Sequence, residues 1–251
     1  MTSWHQVEIF CLTLALLYLE GAKAVKIEDY TDVCLDGLNH KSKPGPEYRL
    51  IKMCAPWKNR SCCTRATSES IHLSDTWLNF NWNHCGWLSA RCREQFIRDL
   101  CFYECSPNLG PWLVKVNMKI RSETQRNVPL CQSGCTNWWN DCKNDLTCKA
   151  DWSSGFNWTT GSNTCPTGSE CKPFHEIYPD ANAFCEQVWG QAWKVVPDNQ
   201  PCMYTWFDGD RGNPNDKVAL ERAKHLISGS ELSRLSYMMQ IILFLVAFIS
   251  L

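Results

Sequence analysis

The chain has 251 residues, 44% of them hydrophobic and 20% charged, and its 25 Lys and Arg against 26 Asp and Glu leave a formal net charge of -1. A balance this close to neutral points away from nucleic acid as a partner. Its 17 cysteines and 13 tryptophans exclude the usual composition of a protein kept in a reducing compartment and point to a secreted disulfide framework.

Residues 1–24 read as a signal peptide, because an apolar run from Ile9 to Leu19 precedes Ala22-Lys23-Ala24, an A-x-A cleavage pattern. The run lacks a Lys or Arg before it, so cleavage after Ala22 or Ala24 stays open. Cys11 lies inside this leader, which leaves an even number of cysteines, an expected eight disulfides and a connectivity that sequence does not give. From Val25 to about Asn83 the pattern is irregular and contains Pro44-Gly45-Pro46, so loops and short strands are expected there, pinned by Cys34, Cys54, Cys62 and Cys63. Cys62 and Cys63 are neighbours, and a bridge between them would strain the trans peptide and the sulfur torsion, so they should bond to two different partners. A zinc reading is weak in an oxidising compartment without a paired CxxC or His set. The sequons at Asn59 and Asn157 fit glycosylation of surface loops.

A helix is expected from about Ser89 to Glu104, with Ser89 as N-cap and Ser106-Pro107 as its stop. Its inward stripe reads Cys92, Phe96, Asp99 with Leu100, and Tyr103. Asp99 is the anomaly on that face, because a buried carboxylate needs partners, and Tyr103 lies beside it at i,i+4. A second helix is expected from about Leu130 to Lys143, with Cys131, Cys135, Trp138 or Trp139, and Cys142 inward. Cys101 with Cys105, and Cys131 with Cys135, are one helical turn apart, so each pair should staple its helix to other segments. A third helix starts after Asp180 as N-cap and carries Phe184, Cys185, Val188 and Trp189. A fourth starts at Asn213-Pro214 and presents Val218, Arg222 or Ala223, and Leu226. The tryptophans cluster at 138–139, 152–158 and 189–193, more than packing alone needs in a disulfide-rich chain, and about half are assigned to the core alone.

The terminal MMQIILFLVAFISL is apolar and short for a bilayer span of about 20 residues. Ser228-Gly229-Ser230 precede it, which is the pattern of a glycosylphosphatidylinositol (GPI) signal with Ser228 as the attachment residue and residues 229–251 removed. A membrane-spanning tail is the alternative. Residues 25–228 then form one ectodomain, mainly helical with long cross-linked loops. The sequence contains no nucleophile elbow, metal-binding H-E-x-x-H helix or phosphate loop, so an enzyme is not expected, although paired-carboxylate hydrolases leave no motif.

The stretches FNWNHCG at 80–86, CFYECSPNLGPW at 101–112, NVPLC at 127–131, TCKADW at 147–152 and MYTWFDGDRGNPN at 203–215 closely resemble the folate receptors from about Cys34 to Ser228. The resemblance implies an α+β, mainly helical, disulfide-rich domain with a few short strands and a deep pocket. In that family the pterin ring of folate is buried and its glutamate sits at the mouth. Asp99 matches the carboxylate that grips the pterin, Tyr103 and Trp189 the stacking aromatics, Phe80 and Trp152 the walls, and Trp158 a position near the glutamate. Arg121 matches one pterin-carbonyl arginine, while the second is Thr124 here. Other departures are Leu78 for a tyrosine, Ile120 and Phe156 for tryptophans, Ser153 for a histidine, Ser154 for a lysine and Ala192 for a serine; Gly155 completes that binding loop. The implied role is capture of folate or a reduced folate at the cell surface and its uptake by endocytosis, with no cofactor. The resemblance leaves open a recognition receptor like the egg-surface protein Juno, with an unidentified protein partner, or a carrier of riboflavin.

Overall fold

Ser89 opens the helix around which the rest of the chain is arranged. The computed structural model describes residues 25–249, so the expected leader lies outside the described residues. Seven α-helices occur among them: α1 Glu28–Thr31, α2 Arg65–Leu73, α3 Ala90–Cys105, α4 Gln132–Cys142, α5 Phe174–Ile177, α6 Ala181–Gln187 and α7 Asn215–Ile249. The eight strands are short: β1 Thr76–Trp77, β2 Phe80–Asn81, β3 Leu113–Met118, β4 Arg121–Gln125, β5 Val128–Cys131, β6 Leu146–Thr147, β7 Lys172–Pro173 and β8 Trp193–Val196.

The Ser89 side chain accepts a hydrogen bond from the Cys92 amide, and α3 stops at Ser106 as the Ser-Pro pair dictates. Cys92, Phe96, Asp99 and Leu100 are buried as the stripe predicts, but Cys101, Phe102, Glu104 and Cys105 are buried too. The reason is covalent. Cys101 bonds to Cys54 and Cys105 to Cys63, which draws a 3-10 helix, Lys52–Trp57, and the start of α2 onto the second face of α3.

Eight disulfides close the fold. Cys62 pairs with Cys34 and Cys63 with Cys105, so the two neighbours do take different partners. Cys92–Cys142 ties α3 to α4, and Cys135–Cys185 ties α4 to α6.

Two expectations need correction. The segment 25–83 is not only loops and strands, because α2 runs through it, capped by Thr64, whose side chain accepts from the Thr67 amide. Its buried face is Thr67, Ser68 and Ile71, two of them polar, which is why apolar periodicity did not reveal it. The second helix also starts later than Leu130. Leu130 and Cys131 belong to β5, which pairs in parallel with β8 (Val128↔Trp193 to Cys131↔Val196), and Cys131 is the N-cap of α4. A continuously buried apolar strand of this kind looks like a helix segment from sequence alone.

The third helix begins after Asp180 as expected, with the Asp180 side chain accepting from the Ala183 amide and Phe184 and Cys185 buried, but it ends at Gln187, so Val188 and Trp189 lie just beyond it. The fourth, α7, begins two residues after Asn213 and packs Val218, Ala219 and Ala223 inward. Among the described residues seven tryptophans are buried: Trp57, Trp77, Trp82, Trp112, Trp138, Trp152 and Trp193. Among the described residues no helix is long and apolar enough to cross a membrane.

Candidate functional site

The β1–β2 hairpin folds across the side of α3 on a two-residue turn. Leu78 and Asn79 both adopt positive φ, 50° and 65°, the conformation that a tight hairpin with right-handed twist requires. The turn sets Leu78 and Phe80 on one wall of a cavity. The β3–β4 hairpin closes the opposite side with Met118, Ile120, Arg121 and Thr124. Its register slips between Lys115 and Met118, so its tip bends. Together with the Trp152–Trp158 loop and the Trp189–Ala192 segment after α6, these elements enclose a cavity of about 190 Å³.

Asp99 lies on the wall of this cavity, 4% exposed. The indole Nε1 of Trp193 donates to its Oδ1 at 2.9 Å. Burial pushes the Asp99 carboxyl up to about 7, opposed first by that bond and then by the Trp189 indole, whose Nε1 nevertheless meets no acceptor at hydrogen-bonding geometry. Next along the helix, Arg121 Nη1 donates to the Tyr103 hydroxyl at 2.9 Å, and its guanidinium lies 5.7 Å from the centre of that ring. Thr124 stands beside the same hydroxyl.

The floor is aromatic. Phe80 sits 5.6–5.7 Å from the rings of Trp152, Phe156 and Trp189 and 6.4 Å from Trp158. Trp152 stacks on Phe96 at 4.7 Å, while Trp158, 46% exposed, stands at the rim.

The structure thus brings Asp99, Tyr103, Arg121, Thr124, Phe80, Trp152, Trp158, Trp189 and Ser153 to one cavity, along with Leu78, Ile120 and Ala192. Three other residues named from sequence do not line it. Phe156 is buried behind Phe80 with its edge to His84. Ser154 donates to Asp151 Oδ2 at 2.9 Å, and Gly155, at φ 76°, lies under Lys149. Ser153 is also committed, since its hydroxyl donates to Asp151 Oδ1 at 2.6 Å.

Sequence reasoning missed the shell behind the cavity. Trp193, on β8, supplies the partner of Asp99, and only a sheet register could have shown it. Glu104 is 1% exposed and takes a bond from Trp77 Nε1 at 3.0 Å. Burial drives its carboxyl up to about 8. His40 Nδ1 is 3.4 Å away, and burial lowers that imidazole, so the two face each other as neutral groups rather than as an ion pair.

Two raised carboxyls make the ligand-free protein less stable as pH rises. Each binds its proton more tightly folded than unfolded, so its contribution is complete below the ordinary carboxylate range and is lost progressively as pH rises from there, until it is gone above about 7 for Asp99 and about 8 for Glu104. Thermal unfolding of the ligand-free protein is expected to show a melting temperature that these two groups pull down from about pH 4 to about pH 8, with no further contribution above that. Glu104→Gln should flatten the upper part of that curve; an equally steep curve in the variant refutes the assignment.

Every group of His, Cys, Asp or Glu close enough to suggest a metal site among the described residues contains at least two disulfide-bonded cysteines, so these sulfurs offer no thiolate.

Fold and site together define a disulfide-stapled binding protein whose cavity sets one buried carboxylate among aromatic rings. Residues 33–204 match the Folate receptor family. The chain is 41% identical over 236 residues to human folate receptor gamma, covering 91% of this chain and 96% of that protein. It is 40% identical over 192 residues to human folate receptor alpha, covering 75% of each. It is also 33% identical over 199 residues to the riboflavin-binding protein of Gallus gallus, covering 78% and 77%. The chain belongs to the folate receptor family.

Proposed function

We propose that this protein is a cell-surface receptor that binds folate or a reduced folate by its pteridine ring and carries it inward by endocytosis, acting as a binding protein and not an enzyme. The observation that carries this reading is Asp99. A carboxylate this deeply buried on an open cavity wall, with one oxygen bonded by Trp193 and flanked by Tyr103 and Trp189, suits a flat heterocycle that brings N–H donors. Charge-assisted bonds to such a carboxylate contribute about 1.5 to 3 kcal/mol each. The similarity to folate receptors supports the choice of ligand. Equilibrium binding of labelled folic acid to the purified protein tests it: saturable binding is expected, and a dissociation constant in the millimolar range rejects it. Riboflavin titrated in the same assay separates the reading suggested by the riboflavin-binding relatives.

The protein is held at the outer leaflet by a GPI anchor on Ser228, which lies exposed on α7. Phosphatidylinositol-specific phospholipase C is expected to release it from intact cells, and a bulky residue at 228 should abolish surface display. Surface protein that resists the enzyme would favour a spanning tail. Asn59 and Asn157 are both exposed and are the proposed glycosylation sites.

A further inference from the structure

We infer that Trp193 is a positioning residue for the ligand site: its indole N–H fixes the Asp99 carboxylate so that the remaining oxygen faces the cavity between Tyr103 and Trp189. This rests on the reading of the cavity as a pteridine site and adds a residue that touches no ligand.

The geometry starts in the sheet. Trp193 and Val195 of β8 are buried while Lys194 between them is exposed. The parallel register Val128↔Trp193 and the backbone bond from Val128 N to Ala192 O at 2.9 Å hold the strand in place. The side chain, 1% exposed, lies with its ring 4.9 Å from Phe102 and its Nε1 2.9 Å from Asp99 Oδ1. A simple packing role does not account for that bond. The buried indole N–H groups of Trp57, Trp82 and Trp138 meet no acceptor, and those of Trp77 and Trp152 bond Glu104 and Thr147, neither of which lines the cavity, so an indole bond into the pocket is not a general feature of this core. Trp193 does find an acceptor, and that acceptor is the carboxylate of the pocket.

Two consequences follow. A carboxylate anchored through Oδ1 cannot swing away from an incoming ligand, so less orientation is lost on binding. The bond also favours the charged form, opposing the burial that raises the Asp99 carboxyl. The other titratable groups on the cavity wall are Tyr103 and Arg121, and Glu104 and His40 lie behind it. Removing the indole N–H leaves burial less opposed, so Asp99 holds its proton to higher pH and a donor ligand meets fewer charged carboxylates.

The test measures labelled folic acid binding from pH 5 to 8.5 on membranes of cells expressing the full chain, for the unsubstituted protein, Trp193→Phe and Trp138→Phe. Trp193→Phe should weaken binding about tenfold at pH 7.4 and move the pH midpoint of binding up by about one unit, the equivalents of one lost hydrogen bond. Trp138→Phe removes an unpaired N–H from the same core and should change neither. If Trp193→Phe reduces surface display, benzothienylalanine at 193, which replaces only the N–H by sulfur, gives the same measurement. Unaltered affinity and midpoint on loss of the N–H, or equal effects from the two tryptophans, overturn the inference. Absence of saturable binding by the unsubstituted protein overturns the pteridine reading, and this inference with it.

Discussion

Asp99→Ala is expected to lose a hundred-fold or more in folate affinity while leaving the protein folded. Among the described residues its carboxylate is the sole anionic side chain on the cavity wall, and it is 4% exposed, so water cannot take over its bonds to a bound ring. Two hydrogen bonds at the charge-assisted value, together with ligand donors left unpaired, come to roughly 3 to 5 kcal/mol. That is about two to four powers of ten in dissociation constant. Folding should feel the change much less. The substitution removes a carboxyl whose burial is unfavourable to its charge and orphans one indole N–H, and these opposing effects leave the melting temperature within a few degrees. The wild-type affinity should itself climb with pH and level off above about 7, because only the ionised carboxylate accepts two donors. Arg121→Ala should cost less, since Arg121 spends one donor on the Tyr103 hydroxyl. An Asp99→Ala protein with unchanged melting and unchanged folate affinity would remove Asp99, and with it this cavity, from ligand capture.

Much of this site is legible in the sequence because it lies on one helix. The spacing of Cys92, Phe96, Asp99 and Tyr103 and the cap at Ser89 place α3, and a single carboxylate mismatched on an apolar stripe is enough to mark Asp99. The adjacent Cys62 and Cys63 likewise force two separate bridges. What stays hidden depends on contacts between distant segments. Trp193 reaches Asp99 across 94 residues through a parallel strand pair, and the pairing of two four-residue strands so far apart carries no local signature. Glu104 is invisible for a related reason: the second buried face of α3 exists because disulfides pull the 3-10 helix and α2 onto it, and no hydrophobic period records that. The resemblance to the folate receptors points to the loop at 152–158, of which Trp152, Ser153 and Trp158 line the cavity, but it does not give the direction of each side chain. There the Asp151 carboxylate gathers both Ser153 and Ser154 hydroxyls, Phe156 turns into the core, and the rim is left to Trp158.

Trp152→Ala should be among the most destabilising single substitutions in the domain, and the contrast with Trp158→Ala divides the tryptophan surplus into its two uses. Trp152 is 2% exposed and joins three elements: its ring stacks on Phe96 of α3 at 4.7 Å, stands edge-on to Phe174 of α5 at 5.8 Å and meets Trp189 at 5.7 Å. Its Nε1 donates to Thr147 Oγ1 at 2.9 Å and lies 3.1 Å from the Lys149 carbonyl. Truncation therefore opens a large cavity beside the pocket floor and strips polar atoms of a partner, at a cost of about 3 to 5 kcal/mol. For a domain of this size that is a fall of about 10 °C in melting temperature, even with all disulfides intact. Folate binding should weaken as well, because Phe80 and Trp189 both lean on the lost ring. Trp158 is 46% exposed, and its closest ring neighbour is Phe80 at 6.4 Å. Trp158→Ala should leave melting within a couple of degrees and weaken folate binding by about tenfold, the value of one lost aromatic contact at the mouth. Paired melting and binding curves on the two variants read out the division directly. If Trp152→Ala melts like the unsubstituted protein, the stack on Phe96 does not hold the floor of this pocket.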